Sequence, residues 1–244
     1  MLAACGAGQP LWQALNATGR ATVRFVPARE RYPGRSYEAQ VRETGCCPTR
    51  DDGHDAFNGL CWLRFPRAKS MLNRLHVEAT ARAPAAAGTR GRLRDALTLL
   101  DESGALLAAP EPLAAALAAK DWTTVFITRR ALWREARVEL FGHALLDRLR
   151  RPYPAITAHV LTLPDTLGRD ADIDDWLASR LQQGSLTPSD YLHLPLLGIP
   201  GWWPANEDPA FYADARVFRS ARAAAPEAPP AIPHPLRAYG TRGH

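Results

Sequence analysis

Residues 94–109 read RDALTLLDESGALLAA. The apolar run Ala96-Leu97-Thr98-Leu99-Leu100, closed by Asp101, predicts a buried strand. Glu102-Ser103-Gly104 then supplies a turn, and Ala105 to Ala109 returns as a second strand. A hairpin here means an antiparallel sheet, and the rest of the chain is arranged around it. Thr157 to Leu163 predicts a third core strand, and the alternation of Tyr37, Ala39 and Val41 predicts another over Tyr37 to Glu43.

The flanks are helical. A short helix with Leu11, Trp12 and Leu15 precedes an extended piece from Ala21 to Val26. His54 to Leu63 predicts a helix capped by Asp51 or Asp52, with Phe57, Leu60 and Cys61 as its buried stripe. Pro66 opens a second helix that runs to about Ala81. Further helices are expected at 112–119, 121–129 and 131–150, and from Asp172 to Gln183 before Gly184. Pro27 to Gly34, Thr44 to Gly53 and residues 82–91 read as loops. From Thr187 onward prolines and aromatics predict an irregular wrap over the core. The expected architecture is a helix-rich α+β fold with a small antiparallel sheet and a long irregular C-terminal wrap. Residues 1–9 are expected to be flexible, 10–222 to form one globular domain, and 223–244 to be a disordered Pro/Ala-rich tail.

Composition narrows the class. At 244 residues, with 46% hydrophobic and 23% charged, the chain can bury a core without disulfides and is neither wholly disordered, collagenous nor a coiled coil. Its apolar runs fall far short of the ~18 residues that span a bilayer, so no membrane insertion is expected. Of 30 basic residues only Lys69 and Lys120 are lysines, and the net charge is +5. Arginine grips phosphate, which points to an anionic small molecule or nucleic acid as partner, although 25 acidic residues are interleaved. Cys5, Cys46, Cys47 and Cys61 show no metal-ligand spacing and read as free thiols of a reducing, cytoplasmic setting. Leu2-Ala3-Ala4-Cys5-Gly6 resembles a lipoprotein cleavage box, but only Met1 precedes it, so it reads as a coincidence unless the true start lies upstream.

Three groups of residues could carry chemistry. His54-Asp55-x-x-Asn58 opens a helix, where free N–H groups and the helix dipole favour an anion, and Arg50 lies just upstream. Arg94-Asp95 and Asp101-Glu102 flank the first expected strand, and paired carboxylates there could hold a divalent metal. His143 follows Gly142 inside an expected helix, where a glycine implies close packing, against the first helix pair, and could bring His143 to His54. His76 reads as a surface or capping residue, and Trp202-Trp203 as a clamp covering the core. The arginines from Arg129 to Arg151 read as a solvated helix face. No nucleophile elbow, P-loop or dinucleotide fingerprint is present.

Several stretches together resemble one bacterial family. They include Glu43-Thr44-Gly45, Pro48-Thr49-Arg50, His54-Asp55-Ala56-Phe57-Asn58 with Trp62, Phe65-Pro66-Arg67-Ala68-Lys69, the 94–104 stretch, Phe141-Gly142-His143-Ala144-Leu145 and Leu197-Gly198-Ile199-Pro200-Gly201-Trp202-Trp203. Over about residues 10–222 the chain is similar to the family called domain of unknown function 3025. One departure is Gly53, where the resemblance implies a tryptophan. The resemblance implies no activity or cofactor. The residues suggest a metal-assisted hydrolase acting on a phosphate-containing substrate. In it His54, Asp95 and His143 would be catalytic, Arg50, Asn58 and Arg94 would hold substrate, and Asp101 and Glu102 would hold a divalent metal. The alternative is a non-catalytic binding protein whose basic or aromatic surface meets an acidic partner.

Overall fold

The computed structural model describes residues 8–82, 91–164, 167 and 172–220. Its elements are α1 (Leu11–Asn16), β1 (Arg24–Pro27), α2 (Tyr37–Thr44), β2 (Cys46–Thr49), α3 (Gly53–Arg64), α4 (Pro66–Arg82), α5 (Arg92–Ser103), β3 (Gly104–Ala108), α6 (Glu111–Ala118), β4 (Arg137–Leu140), α7 (His143–Arg148), β5 (Thr157–Thr162), α8 (Ile173–Gln182) and β6 (Leu192–Pro195). The fold is α+β. Residues 83–90 of the loop expected at 82–91, residues 1–7 of the expected flexible N-terminus and the tail at 223–244 lie outside the described residues.

The first half of the expected hairpin is a helix. Ala96, Leu97, Leu100 and Ser103 are buried, a three-and-four spacing that marks one face of α5. α5 runs straight into β3, whose neighbours are β4, antiparallel, and β5, parallel. β6 completes the sheet in the order β4-β3-β5-β6. The sheet is therefore mixed, because the helix that replaced a strand removed the hairpin.

Tyr37 to Glu43 is also helical. Ser36 accepts a hydrogen bond from the Ala39 N–H at one end, and Gly45 closes the other in the left-handed region at φ 67°. The residues expected to form a loop after it contain β2, which pairs in parallel with β1. The expected helix over 131–150 is interrupted. Residues 137–140 pair with β3 as a strand, and α7 is short. A single turn of π-helix, Thr124–Thr128, stands in for the helix at 121–129. The arginines from 129 to 151 thus lie on several elements and form no single helix face.

Two apolar layers hold the sheet. On one face Ala105, Leu107, Ala158 and Val160 pack with Leu113, Leu117, Trp122, Phe126 and Trp133. On the other Leu106 and Leu161 pack with Leu97, Leu100, Phe65, Leu72, Phe141 and Leu177. Each such fully buried side chain contributes about 1.5–3 kcal/mol relative to exposure. Helices α4 and α8 are joined at their ends as well. Buried Asp174 accepts from the Arg67 and Ala68 N–H groups at 2.9 and 2.7 Å, supplying acceptors to the free first turn of α4. A third cluster of Leu11, Leu15, Phe25, Val41, Cys47 and Trp62 joins α1 and the β1–β2 pair to α3.

The C-terminal wrap is real in part. Tyr212 stacks on Phe126 and Phe218 meets it edge to face, with centroids 5.1 and 5.6 Å apart. Asn206, fully buried, donates to the Leu197 and Ile199 carbonyls at 2.8 and 2.7 Å. Arg130 reaches the Asn206 carbonyl and the Tyr212 hydroxyl from the other side. Trp202 takes no part in that clamp, because 40% of it is exposed. His76 is buried in α4, not at the surface.

Candidate functional site

The site begins with a close approach of two backbones. Gly142 donates to the Gly104 carbonyl at 2.8 Å. A Cβ on Gly142 would stand 2.5 Å from Gly104 N and 2.6 Å from Ser103 N. Only a residue without a side chain lets the start of α7 lie against the end of α5. Gly142 itself therefore packs on the last turn of α5, while the helix it opens packs against α3 of the first helix pair, as expected. His143, the next residue, is carried to Asp101 and Glu102 on that same turn.

Helix α3 brings the second imidazole. Asp52 caps it by accepting from the Asp55 N–H at 2.8 Å, and His54 sits in its first turn. The Nε2 atoms of His54 and His143 are 3.1 Å apart, and their rings meet edge to face. Two Nε2 atoms at this distance share one hydrogen, so one ring donates and the other accepts. His143 Nδ1 is buried, makes no hydrogen bond, and lies 3.6 Å from Asp101 Oδ1. His143 Nε2 lies 3.7 Å from Glu102 Oε1. The Asp101 carboxylate favours the hydrogen of His143 on Nδ1, which leaves Nε2 to accept from His54. His54 Nδ1 is then the ring nitrogen with a free lone pair.

Behind Asp101 lies a buried network. Lys69 Nζ is 2.5 Å from Asp101 Oδ1 and donates to Asn58 Oδ1 at 3.0 Å. Asn58 Nδ2 donates to the Tyr37 hydroxyl at 2.9 Å, which lies 2.8 Å from Cys47 Sγ. The Lys69 ammonium also stands 5.5 Å over the Trp62 ring. Burial alone would raise the Asp101 carboxyl, but Lys69 and His143 outweigh it and hold Asp101 ionised far below the usual carboxylate range. Burial opposes the charge on Lys69, and the Asp101 carboxylate more than restores it. Burial, and then Cys47 itself, push the Tyr37 phenol well above its ordinary value. Burial takes the Cys47 thiol to about 11.

Tyr37, Asn58 and Asp101 of this network line, with His54 and His143, a cavity of about 480 Å³ whose lining also includes Arg31, Glu38, Arg50, Asp55 and Glu102. Arg50 forks onto Asp55 through Nε and Nη2 at 3.0 and 2.8 Å, and its own N–H meets the same carboxylate at 2.7 Å. Counting Asp101, four carboxylates face two guanidiniums.

His54, His143, Asp101, Glu102, Asn58 and Arg50 thus converge on one cavity. Asp95 and Arg94 do not line it. The helical α5 explains why: six residues turn a helix by about 240° and advance it about 9 Å, so Asp95 and Asp101 cannot share a site. Asn58 has both ends of its amide engaged inside the protein. Among the described residues no group of three or more His, Cys, Asp or Glu side chains is arranged to hold a metal ion. Asp101 Oδ1 faces an ammonium where the metal was expected. Lys69 was missed in the sequence, as were Tyr37 and Glu38. The signals for Lys69 were its type, one of two lysines in an arginine-rich chain, and its place in the Phe65–Lys69 stretch that carries the family resemblance.

Gly53 abuts the Arg150 and Asp147 side chains, which fill the position where the family resemblance implied tryptophan. A hollow of about 580 Å³ on another face of α3, lined by Leu11, Phe57, Leu60 and Arg150, contains no histidine. Among the described residues no helix is long and apolar enough to cross a membrane.

A family model described as "Protein of unknown function (DUF3025)" matches residues 23–222, starting later than the resemblance suggested. Neither the curated proteins nor the solved structures gave a match. With 23–222 covering most of its length, the chain belongs to the DUF3025 family.

Proposed function

We propose that the cavity is the catalytic centre of a hydrolase in which the His54–His143 pair acts as general base. The observation that carries this reading is the 3.1 Å contact between the two Nε2 atoms, with Asp101 behind one ring and open cavity before the other. His54 Nδ1 takes a proton from a bound water or hydroxyl. The Nε2 hydrogen of His54 passes to His143 Nε2, and the positive charge comes to rest on His143 beside the ionised Asp101. Lys69 keeps Asp101 charged and aimed, and is a positioning residue.

The lining argues for an uncharged or cationic polar substrate over the phosphate-bearing one that the arginine count suggests. Arg50 is committed to Asp55, and carboxylates outnumber guanidiniums. Lys69 on Asp101 also argues against a metal-holding role for that carboxylate. The free thiols Cys46, Cys47 and Cys61 support a reducing, cytoplasmic setting.

The test is hydrolysis of panels of neutral, cationic and phosphate esters and amides by the wild type and His54→Gln, each with and without chelator. The reading expects turnover of neutral or cationic compounds, insensitive to chelator and reduced about 10²–10⁴-fold in folded His54→Gln. Turnover that survives His54→Gln, or that is confined to phosphate esters, contradicts it. The mutual satisfaction of Tyr37, Asn58, Lys69 and Asp101 favours a second reading, a binding site that does no chemistry. A cation held in the cavity with no panel member turned over would select it.

A further inference from the structure

A second cavity, of about 390 Å³, lies where β5 and β6 meet the turn after α6 and the segment around residues 216–219. His159 and His193 stand directly opposite each other across the two strands, with ring centroids 5.1 Å apart. Ser103 Oγ lies 2.8 Å from His159 Nδ1 and fixes that ring. The other ionisable side chains of the lining are Lys120, Arg216 and Arg219, and no carboxylate is among them. This charge pattern is the reverse of that in the first cavity.

The cations are poorly neutralised. Arg216 gives Nε and Nη2 to Asp214 at 3.0 and 2.9 Å, which leaves Nη1. Among the described residues Lys120 and Arg219 have no ion-pair partner. Burial, then His193 and Arg148, take His159 down to about 4, and burial followed by Lys120 lowers His193. Both rings are neutral at pH 7; the Ser103 hydroxyl donates to the Leu99 carbonyl at 3.2 Å, so His159 gives its one N–H to Ser103, and His193 is the ring that can donate without adding charge.

Lys120 occupies a position that glycine would fill at less cost. It is the described non-glycine residue with positive φ, at 53°. It closes α6, with the Lys120 and Asp121 N–H groups returning to the Leu117 and Ala116 carbonyls at 3.0 Å each. In this closure glycine is the usual residue. Here backbone strain is accepted and an uncompensated ammonium is delivered to the cavity, one of only two lysines in the chain.

We propose that this cavity binds a phosphate group, met by Lys120, Arg219 and the free edge of Arg216, with His193 donating from the sheet. A phosphate offers several acceptor oxygens and the negative charge that the lining lacks. The site is separate from the histidine pair, so its occupancy and the proposed hydrolysis can fail independently.

The test uses the full chain with inorganic phosphate and pyrophosphate at constant ionic strength, followed by thermal unfolding and by side-chain NMR of the histidines. Phosphate should raise the wild-type Tm and shift the His159 and His193 signals while leaving His54 and His143 in place. Lys120→Gly should be as stable as the wild type, or more stable, without phosphate, yet bind it about tenfold more weakly. Arg219→Gln should weaken binding similarly. The proposal is overturned if millimolar phosphate moves neither Tm nor these signals, if Lys120→Gly binds as tightly as the wild type, or if the signals that move are those of His54 and His143.

Discussion

Replacing Lys69 by methionine isolates the interaction that sets the charge of the candidate site. Methionine keeps most of the stem's packing and removes the ammonium. The Lys69 side chain is 4% exposed and that of Asp101 22%, so Asp101 would be left with little water to replace its cation. Breaking a buried pair in this way costs about 3–5 kcal/mol. His143 remains 3.6 Å from the carboxylate and part of Asp101 is wetted, which places the loss at the lower end, about 3 kcal/mol. The sign with pH follows from the direction of the shift. In the wild type Asp101 is held below its unfolded value, so its contribution is present above about pH 4 and is lost as pH falls below that. In Lys69→Met only burial and His143 act on the carboxyl, which then takes up a proton more readily, and protonation relieves the penalty. The gap between the two proteins should therefore be widest at neutral pH and narrow towards about pH 4. Urea unfolding of both proteins at pH 7 and near pH 4.5 measures it. Adding Asp101→Asn to Lys69→Met should recover part of the loss, with a coupling of about 2 kcal/mol. A loss below about 1 kcal/mol at pH 7, or a gap that does not change with pH, would refute the reasoning.

Two further substitutions test the frame around the site. Gly142→Ala should cost about 3 kcal/mol, because its Cβ meets backbone atoms of Ser103 and Gly104 that cannot swing away, whereas Gly53→Ala meets only movable side chains and should cost less than about 1 kcal/mol; equal losses by chemical denaturation would show that backbone contact is not what Gly142 provides. Asn206→Ala should cost about 2 kcal/mol by leaving the buried Leu197 carbonyl unpaired and the Ile199 carbonyl with the Trp202 N–H alone, read as a lower midpoint in urea, and a neutral outcome would mean that the wrap is held by its aromatic stack alone.

What could be read in the sequence depended on whether periodicity or termini carried the signal. Capped helices with clear stripes, such as α3 and α4, were legible because Asp52 and Pro66 mark their starts. The run at 96–100 misled because continuous apolar residues suit a buried strand as well as a buried helix face. Extending the window back to Leu93 gives Leu93, Ala96, Leu97 and Leu100, which is a helical stripe. In α2 the alternation of Tyr37, Ala39 and Val41 suggested a strand, but the brackets Ser36 and Gly45 mark a helix and were the better evidence. β2 carries Cys46-Cys47-Pro48-Thr49, which has no strand pattern, and exists through its pairing with β1.

The site divides in the same way. Gly142 gave a legible hint of close packing, and through it of the meeting of His143 with His54. Asp95 and Arg94 were included because they precede the expected strand as Asp101 and Glu102 follow it, and carboxylates at strand ends suit a divalent metal. Lys69 and Tyr37 could not be found by motif, since what defines them is burial together, across elements far apart in the chain.

The most direct measurement of the central claim is the tautomeric state of the two site histidines, read from long-range proton–nitrogen NMR spectra at neutral pH in the wild type and Asp101→Asn. The account predicts His143 protonated at Nδ1 and His54 at Nε2 in the wild type, with that order lost in Asp101→Asn. Two rings each protonated at Nε2 would contradict it.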